Sequence, residues 1–383
     1  MKIDAALYDS RRNYRIAVSS LFFLSGLCFS SWASRIPTIQ QQLQLSDGGL
    51  GAVLLSLPVG LMLSLPLAGY LVAKFGSRII VISAAILYAC TLPFIGFAQQ
   101  TWQLMAVLFL FGLGGNLLNI AMNTQGVGVE AIYNRSILAS LHGIWSLAGF
   151  TGAAVGTYMI SQHISPRYHF LIISAAALLI ILSAWSYTLA TDSNTKTDQP
   201  IFAKPDKSLL NLGIIAFCCM ICEGAMFDWS GVYFQNVVKA KAAWIGAGYT
   251  AFMSTMAAGR FVADWLVTRF GIKRILQTSG VIIATGLSVA IIFPDIATSI
   301  AGFILVGAGV SSVVPLIYSA AGKSKKVSPG VALAAVSTIG YLGFLIGPPA
   351  IGFIAQASSL RVSFILIAVL GLTTTLIASR TKW

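Results

Sequence analysis

The chain consists almost entirely of apolar segments long enough to cross a lipid bilayer. A spanning helix needs about 20 consecutive apolar residues, and twelve such segments can be counted in this sequence of 383 residues. Their predicted bounds are 14–35, 50–73, 79–98, 102–126, 138–161, 168–190, 209–231, 244–266, 275–293, 297–320, 330–356 and 360–379. Only 9% of the residues are charged, against about 25% in soluble proteins. We therefore expect an all-α integral membrane protein with twelve transmembrane helices.

The net charge of +13 is unevenly distributed between the two ends of these segments. If the N-terminus is cytoplasmic, five of the 24 Lys and Arg residues lie outside and Arg260 lies within a helix, which leaves 18 inside. The five outer residues are Arg35, Arg167, Lys239, Lys241 and Arg361. This excess of Lys and Arg on the inner side follows the positive-inside rule. It predicts a multi-pass protein of the bacterial inner membrane with both termini in the cytoplasm, and it argues against a nucleic-acid partner.

The two halves of the sequence repeat each other. AGYLVAKFGSR at 68–78 matches ADWLVTRFGIK at 263–273, which is a shift of 195 residues with five of eleven positions identical. The same shift aligns further glycines, namely Gly112 with Gly307, Gly114 with Gly309 and Gly152 with Gly347. Three matches in one register indicate a duplication.

A polar, proline-containing segment at 190–208 separates the halves, as expected of a linker. We predict an N-terminal six-helix bundle over 1–190, a cytoplasmic linker over 191–208 and a C-terminal six-helix bundle over 209–383. Two parallel halves of this kind are typical of transporters that hold a central site and rock one half against the other.

Several motifs resemble those of a known family. Gly69–Arg78 (GYLVAKFGSR) and Asp264–Arg274 (DWLVTRFGIKR) resemble the signature loop of the major facilitator superfamily. Within it, the chain is most similar to the branch of fucose permease and the Mos-type bacterial membrane proteins, through HGIWS at 142–146, EGAMFDW at 223–229 and GYLGFLIGPP at 340–349. The resemblance covers the whole chain. It implies the twelve-helix fold of this family, transport by alternating access, and a monomer as the functional unit.

The two signature loops carry charges that can close the cytoplasmic side. We predict a gate latch in which basic residues at helix ends pair with Asp264 or Glu130; the basic residues are Lys74, Arg78, Arg269 and Arg274. Exposed pairs contribute about 0–1 kcal/mol each, which suits a latch. Positive-inside topology is the alternative explanation for the basic residues, although it does not explain Asp264. The first loop departs from the family because Ala73 stands where an acid is usual.

Glu223 and Asp228 are two acids within an otherwise apolar segment. A carboxylate in hydrocarbon costs several kcal/mol and marks an ion or substrate pathway by default. Five residues correspond to about 140° of helical rotation and roughly 7 Å of rise, so the two acids do not share a face. We predict that Glu223, the deeper acid, carries protons, with Asp228 as the other candidate proton site. For Glu223, a structural hydrogen bond to a neighbouring helix is the alternative.

Asp228 lies near the outer end of its segment, at almost the depth of Arg35. The family resemblance implies that the first and seventh helices meet when the outer side closes, which predicts an Arg35–Asp228 gate. Arg260 is a competing partner for either acid. His142 is a candidate proton relay because histidine titrates near neutral pH, or else a neutral hydrogen-bonding residue. His163 and His169 flank an outer loop and are predicted to lie at the surface.

Asn116, Asn119 and Asn123 fall within about 60° of one another on the fourth helix. Their amides could bond solute hydroxyls in the cavity that the family builds from helices one, four, seven and ten, or they could bond neighbouring helices. Five aromatic residues could stack on a sugar ring or serve as packing and interfacial residues: Trp32, Trp145, Trp229, Tyr318 and Tyr341. Gly-Pro-Pro at 347–349 is predicted to break or kink the eleventh helix.

The sequence contains no G-x-x-x-x-G-K-[ST] loop, so ATP is not expected to drive this protein directly, and no cofactor is predicted. Cys219 and Cys222 have metal-ligand spacing without a further His or Cys pair, and small apolar packing residues are the better interpretation. The sequence shows no pairing of a nucleophile with a base, so an enzyme is not predicted. We predict a proton-coupled symporter of a sugar or similar small polar solute. The alternatives are a proton-driven exporter of a drug or hydrophobic metabolite and a non-transporting receptor.

Overall fold

A computed structural model describes residues 2–133, 137–190, 207–323 and 329–381 of the chain. These residues form fifteen α-helices and two short 3₁₀ turns, Trp185–Tyr187 and Ala242–Trp244, without a strand among them. The helices of the N-terminal part are α1 (Lys2–Ser34), α2 (Ile36–Gln42), α3 (Asp47–Leu54), α4 (Ser56–Phe75), α5 (Ser77–Phe97), α6 (Thr101–Tyr133), α7 (Leu138–Ser161) and α8 (Pro166–Ala184). Those of the C-terminal part are α9 (Lys207–Asn236), α10 (Ala247–Phe270), α11 (Ile272–Ile292), α12 (Ile296–Val310), α13 (Val313–Gly322), α14 (Pro329–Ala357) and α15 (Leu360–Arg380).

Within the described residues, eleven stretches are long and apolar enough to cross a membrane. Two of these stretches each join a pair of helices, α3 with α4 and α12 with α13. The twelfth long helix is α10, which has 24 residues and is less apolar because it carries Arg260 and Arg269. All twelve predicted segments are therefore helical, and the all-α membrane fold with twelve spans is confirmed.

The helices divide into two compact units. The first contains the described residues of Met1–Leu43 and Ser56–Thr195. In it, α1 packs against α7, α8 and α6, while α4 and α5 pack against α6 and α5 also packs against α8. The Ser30 hydroxyl of α1 donates to the Gly149 carbonyl of α7 at 2.5 Å. The rings of Tyr88 and Phe111 stack at 4.0 Å between α5 and α6.

The second unit contains Gln44–Leu55 and the described residues of Lys196–Trp383, and it repeats these pairings. Here α9 packs against α14 and α15, while α10 and α11 pack against α12 and α11 also packs against α15. Tyr233, Phe303 and Phe364 form a buried aromatic cluster. The Tyr233 hydroxyl donates to the Ala290 carbonyl at 2.9 Å, so the polar end of this ring is also satisfied.

The predicted duplication is confirmed in detail by the positions of the helices. α5 begins at Ser77 and α11 at Ile272, and both are preceded by a glycine with positive φ. Gly76 has φ 80° and ψ 152°, and Gly271 has φ 77° and ψ 152°. This backbone region is essentially restricted to glycine. The two signature loops therefore turn with the same geometry, 195 residues apart in sequence.

The aligned glycines on α6 and α12 also serve the same purpose in the two units. A side chain at Gly112 would collide with the carbonyl of Leu57 on α4, and one at Gly307 would collide with the carbonyl of Phe252 on α10. Leu57 and Phe252 are themselves 195 residues apart. Close helix approach through small residues is a common means of association in membranes, and here both copies use it at equivalent positions.

The short helix α3 packs against α14 and is grouped with the second unit, although it precedes α4 of the first unit in sequence. Gly51 and Gly352 lie against each other where these helices meet. The Gln356 side chain accepts hydrogen bonds from the Gly48 backbone N–H at 2.9 Å and from the Ser46 hydroxyl at 3.1 Å. The side chain of Gln356 thereby satisfies a donor at the N-terminus of α3.

The eleventh predicted segment is expected to break or kink at Gly-Pro-Pro. α14 runs through Pro348 and Pro349 without a break, so a break is excluded, while a kink stays a prediction. Proline removes a backbone donor and crowds the preceding turn, but spanning helices tolerate it where neighbouring elements satisfy the freed groups.

Substitution of Gly271 by alanine tests the geometry of the signature loop. No atom lies within 4 Å of the position that a Cβ would occupy at Gly271, so the expected loss of about 1–3 kcal/mol comes from backbone strain alone. Gly69→Ala is the matched control, because Gly69 lies inside α4 with equally open surroundings. Thermal unfolding in detergent should show Gly271→Ala below the parent and Gly69→Ala level with it or above it.

Candidate functional site

The second unit contains a buried ion pair between α9 and α10. The guanidinium Nη2 of Arg260 lies 3.2 Å from the carboxylate Oε1 of Glu223. Glu223 is 6% exposed, and Arg260 is half-buried. Burying two charges carries a large desolvation penalty, which their attraction offsets only in good geometry. A pair of this kind inside an apolar helix bundle is therefore a candidate functional site rather than a stabilising element.

Two tyrosines lie on helices that pack against α9, which carries Glu223. They are Tyr318 on α13 and Tyr341 on α14, and both are half-buried. The Tyr318 hydroxyl is buried and has no hydrogen-bond partner among the described residues. Because a buried hydroxyl without a partner is unfavourable, this oxygen is available to a polar ligand. Glu223, Arg260 and Tyr318 thus form a polar cluster with unsatisfied bonding capacity.

Two further predicted residues lie on α9, beyond Glu223. Asp228 is half-buried, and Trp229 is completely buried with an indole N–H that has no partner among the described residues. Full burial favours a packing role for the Trp229 ring over stacking on a solute. Cys219 and Cys222 are free thiols close to the carbonyls of Val310 and Ile367. Within the described part of the chain, no cluster of three or more His, Cys, Asp or Glu residues could hold a metal ion.

In the first unit, the three predicted asparagines of α6 have different surroundings. Asn116 is buried, and its amide donates to the Ser64 hydroxyl of α4 at 2.8 Å, which is the structural alternative considered for it. Asn123 donates to the side-chain oxygen of Asn119 at 2.9 Å, and both residues are half-buried. The Asn123 amide nitrogen also donates to the Asn119 backbone carbonyl at 2.8 Å, so the pair retains the N–H donors of Asn119 and the acceptor oxygen of Asn123. Asn119 and Asn123 are therefore the stronger candidates for solute contact.

Arg35 is 1% exposed, and its Nε donates to Nδ1 of His169 on α8 at 3.0 Å. His169 is completely buried, so its predicted surface position is wrong. Since Nδ1 accepts this bond, the proton of the neutral ring is assigned to Nε2. Periodicity could have predicted the burial, because His169 lies in register with Ile173 and Ala177, which both face the interior of the unit.

The remaining predicted residues of the first unit lie on α1 and α7. His142 is exposed, and its ring meets Phe22 edge-on at 5.3 Å. Trp145 is half-buried, with its ring 6.1 Å from that of Phe29. Trp32 is buried, and its indole N–H has no partner among the described residues.

The predicted latch residues form other contacts in this conformation. Lys74 donates to the Tyr70 hydroxyl at 3.0 Å, and Arg78 donates to the Trp185 carbonyl at 3.4 Å. Arg269 lies 5.6 Å from the Trp265 ring centroid, and Arg274 is exposed. The side chain of Asp264 lies outside the described residues, so its part in the latch stays a prediction.

Glu130 has a local partner that the sequence analysis did not include. Its Oε2 accepts the backbone N–H groups of Ile137 at 2.7 Å and Leu138 at 3.1 Å, where α7 begins. A carboxylate is favourable at a helix N-terminus because it satisfies unpaired donors and complements the helix dipole. Glu130 therefore connects the end of α6 to the first residues of α7, whatever else it contacts.

Gln125 was also missed in the sequence analysis, yet it connects three parts of the first unit. Its amide nitrogen donates to the Ser77 hydroxyl at 2.6 Å and to the Leu189 carbonyl at 3.0 Å. Its amide oxygen accepts the Leu189 backbone N–H at 2.7 Å. Gln125 thereby positions the first signature loop relative to the segment that follows α8.

Two compact helical units with repeated helix packing, built largely from helices long and apolar enough to cross a membrane, are the architecture of a membrane transporter. The sequence profile of the Major Facilitator Superfamily matches residues 18–324 and again residues 239–382. The chain therefore belongs to the Major Facilitator Superfamily.

Two bacterial relatives are similar along nearly their whole length. An uncharacterised MFS-type transporter of Yersinia pestis is 33% identical over 359 residues, which is 94% of this chain and 93% of the relative. The membrane protein MosC of Rhizobium meliloti is 31% identical over 357 residues, covering 93% and 87% of the two chains. The predicted resemblance to Mos-type proteins is confirmed.

Solved structures share the fold at lower identity. The nucleoside transporter NupG superimposes with a TM-score of 0.79 at 12% identity, covering 97% of this chain and 100% of that chain. The E. coli fucose:proton symporter FucP superimposes with a TM-score of 0.63 at 18% identity, covering 96% and 98%.

The Glu223–Arg260 pair predicts a coupled effect on stability. Arg260→Met should lower the free energy of unfolding by about 3–5 kcal/mol, because it leaves the Glu223 carboxylate buried without its cation. Glu223→Gln with Arg260→Met should recover part of that loss. Thermal unfolding of the two single variants and the double variant in detergent measures the coupling. If the losses in free energy of unfolding of the two single variants added up to that of the double variant, the pairing would be contradicted. Arg274→Met serves as the control at an exposed position.

Proposed function

We propose that this protein is a proton-coupled symporter that moves a sugar or similar small polar solute by alternating access. The observation that carries the proposal is the Glu223–Arg260 ion pair, buried inside a unit otherwise built from apolar helices. Intramembrane acids in contact with a cation are typical of proton relays and substrate sites in transporters. The fold is also that of a protein described as a fucose:proton symporter, so it is compatible with this activity.

The chemistry proposed for this site couples a proton to the solute through Arg260. While Glu223 is ionised, it holds a guanidinium Nη2 of Arg260 at 3.2 Å and competes with any other acceptor for that group. When Glu223 takes up a proton, its charge is lost and the bond to Arg260 weakens. Arg260 then offers its donors to the hydroxyls of a solute, and Tyr318 offers a hydroxyl that has no partner within the described part of the chain. Proton and solute favour each other's binding, and this linkage is reciprocal.

In the first unit, Asn119 and Asn123 are the proposed solute contacts. Their mutual hydrogen bond at 2.9 Å orients both amides while leaving capacity to donate and accept. Trp145, with its half-buried ring, is the proposed stacking surface. Amide and aromatic groups of this kind suit a neutral, hydroxyl-rich solute better than a hydrophobic drug.

For the outer side, we retain Arg35–Asp228 as the proposed gate. Arg35 is held by a neutral histidine rather than an acid, through a bond of 3.0 Å. If the Arg35 side chain left His169 and paired with Asp228, an ion pair would replace this contact. Charge-assisted hydrogen bonds are roughly twice as strong as neutral ones. On the inner side, the basic residues of the signature loops with Glu130 and Asp264 remain the proposed latch. The orientation with both termini in the cytoplasm is proposed from the distribution of Lys and Arg.

Proton movement in liposomes tests the function. Purified protein would be reconstituted with a pH-sensitive dye inside, and a panel of sugars, polyols and nucleosides would be added outside. One solute should acidify the interior of parent liposomes, and Glu223→Gln should abolish that signal because it cannot exchange a proton. Asp295→Asn is the matched acid-to-amide control, since Asp295 is exposed and lies in the turn before α12.

Three other results would distinguish the alternatives. Proton-driven efflux of a dye or hydrophobic metabolite, with no response to any sugar, would move the assignment to an exporter. Ligand binding without flux, unchanged in Glu223→Gln, would indicate a receptor. Acidification that persists in Glu223→Gln would show that another group carries the proton.

A double-mutant cycle tests the outer gate. Arg35→Ala and Asp228→Ala should each slow transport. The double variant should be no slower than the slower single variant, because both substitutions remove the same interaction. If the fractional losses of transport rate multiply in the double variant, the two residues act independently and the proposed pair is wrong. Arg35→Ala with His169→Ala, measured in the same assay, shows how much of the effect belongs to the Arg35–His169 bond.

A further inference from the structure

A cavity of about 630 Å³ opens in the first unit at the N-terminal end of α1. It is separate from the Glu223 cluster, which belongs to the second unit. Six of its lining residues come from α1, and the others come from the end of α6 and from α7. The lining consists of Arg12, Arg15, Ile16, Ser19, Ser20, Phe23, Tyr133 and Ile144.

The charged wall of the cavity is formed by two arginines. Arg12 and Arg15 are three residues apart, so they lie on one face of α1. The guanidinium carbon of Arg15 lies 5.6 Å from the Tyr133 ring centroid, which restricts its position from one side. Guanidinium groups have planar sets of donors that match the geometry of phosphate. The hydroxyls of Ser19 and Ser20, one turn further along, add weaker donors.

The lining of the cavity also has an apolar part, referred to below as the apolar wall. Ile16 is 52% exposed, and Phe23 and Ile144 are half-buried. Arg12 and Arg15 lie in the first two turns of the membrane-crossing stretch of α1, which begins at Arg11. A ligand that fits both walls has an anionic head and a hydrocarbon chain. A free anionic solute would leave the apolar wall uncovered.

We propose that this cavity binds an anionic membrane phospholipid, with its phosphate on Arg12 and Arg15. The serine hydroxyls of α1 lie where they can bond the glycerol oxygens, and Ile16 and Phe23 lie along the first methylene groups of an acyl chain. Basic pockets between membrane helices on the cytoplasmic side are known to hold anionic headgroups. The charge distribution of the sequence assigns this end of α1 to that side.

Native mass spectrometry in detergent tests this site, with dioleoyl phosphatidylglycerol and dioleoyl phosphatidylcholine as probes. The parent should retain one phosphatidylglycerol in preference to phosphatidylcholine. Arg12→Gln with Arg15→Gln should weaken phosphatidylglycerol binding about tenfold or more, because each arginine contributes to headgroup affinity. The matched control is Arg11→Gln with Arg380→Gln, which removes the same charge from exposed positions outside the cavity. The control should bind like the parent.

A second variant keeps the test independent of charge. Ile144→Trp should fill part of the cavity without altering an arginine and should reduce phosphatidylglycerol binding as well. An equal loss of phosphatidylglycerol binding in the control variant would mean non-specific charge attraction and would overturn the proposal. Undiminished phosphatidylglycerol binding in both cavity variants would also overturn it. Displacement by millimolar glycerol 3-phosphate as readily as by phosphatidylglycerol would assign the cavity to a soluble phosphate-bearing solute instead, and the lipid assignment would be wrong.

Discussion

The backbone polar groups inside a bilayer must find partners within the protein, and the rest of the structure depends on this constraint. It explains why the chain is helical, since a helix satisfies its own backbone donors and acceptors. It also explains the behaviour of serines and threonines along the helices. Thr91, Thr151 and Thr157, for example, each donate to a carbonyl four residues earlier in their own helix. Hydroxyls satisfied in this way can be buried without a tertiary partner.

Two longer polar side chains of α6 connect this helix to its neighbours. Asn116 bonds Ser64, and Gln125 bonds Ser77, so α6 is linked to both α4 and α5 by side chains. These bonds complement the close glycine contact between α6 and α4 at Gly112. Polar pairing and small-residue packing thereby fix the arrangement that both units share.

Two interactions do not fit a purely structural account. The Glu223–Arg260 pair could be replaced by apolar side chains without loss of helix packing, since buried ion pairs are often no more stable than hydrophobic substitutes. The Arg35–His169 bond buries a cation beside a neutral ring, with no acid in the contact itself. Both contacts involve groups that can exchange partners, and this property underlies the proposed coupling and gating. The contrast with Asn116, whose bond has no evident alternative, separates functional candidates from structural ones.

Three features of the sequence were sufficient to predict the membrane class, the number of membrane-spanning helices and the duplication. They are the twelve apolar segments, the polar segment between the halves and the repeat at a shift of 195 residues. Each of these is a local property of the chain or a comparison of the chain with itself. The positive φ of Gly76 and Gly271 is similarly local, because only glycine occupies that backbone region readily. The family resemblance carried by the two signature loops was confirmed over almost the whole chain.

The partners of the polar side chains depended on the tertiary structure. Nothing in the sequence near Arg35 indicates that it bonds His169, which is 134 residues away and was predicted at the surface because it flanks an outer loop. Likewise, Glu223 pairs with Arg260 rather than with another cation because α9 packs beside α10. The sequence by itself therefore determined which residues are helical and which are apolar, because those properties arise within a few turns of chain. Which buried polar groups meet was decided only by packing, because such contacts join residues far apart in sequence.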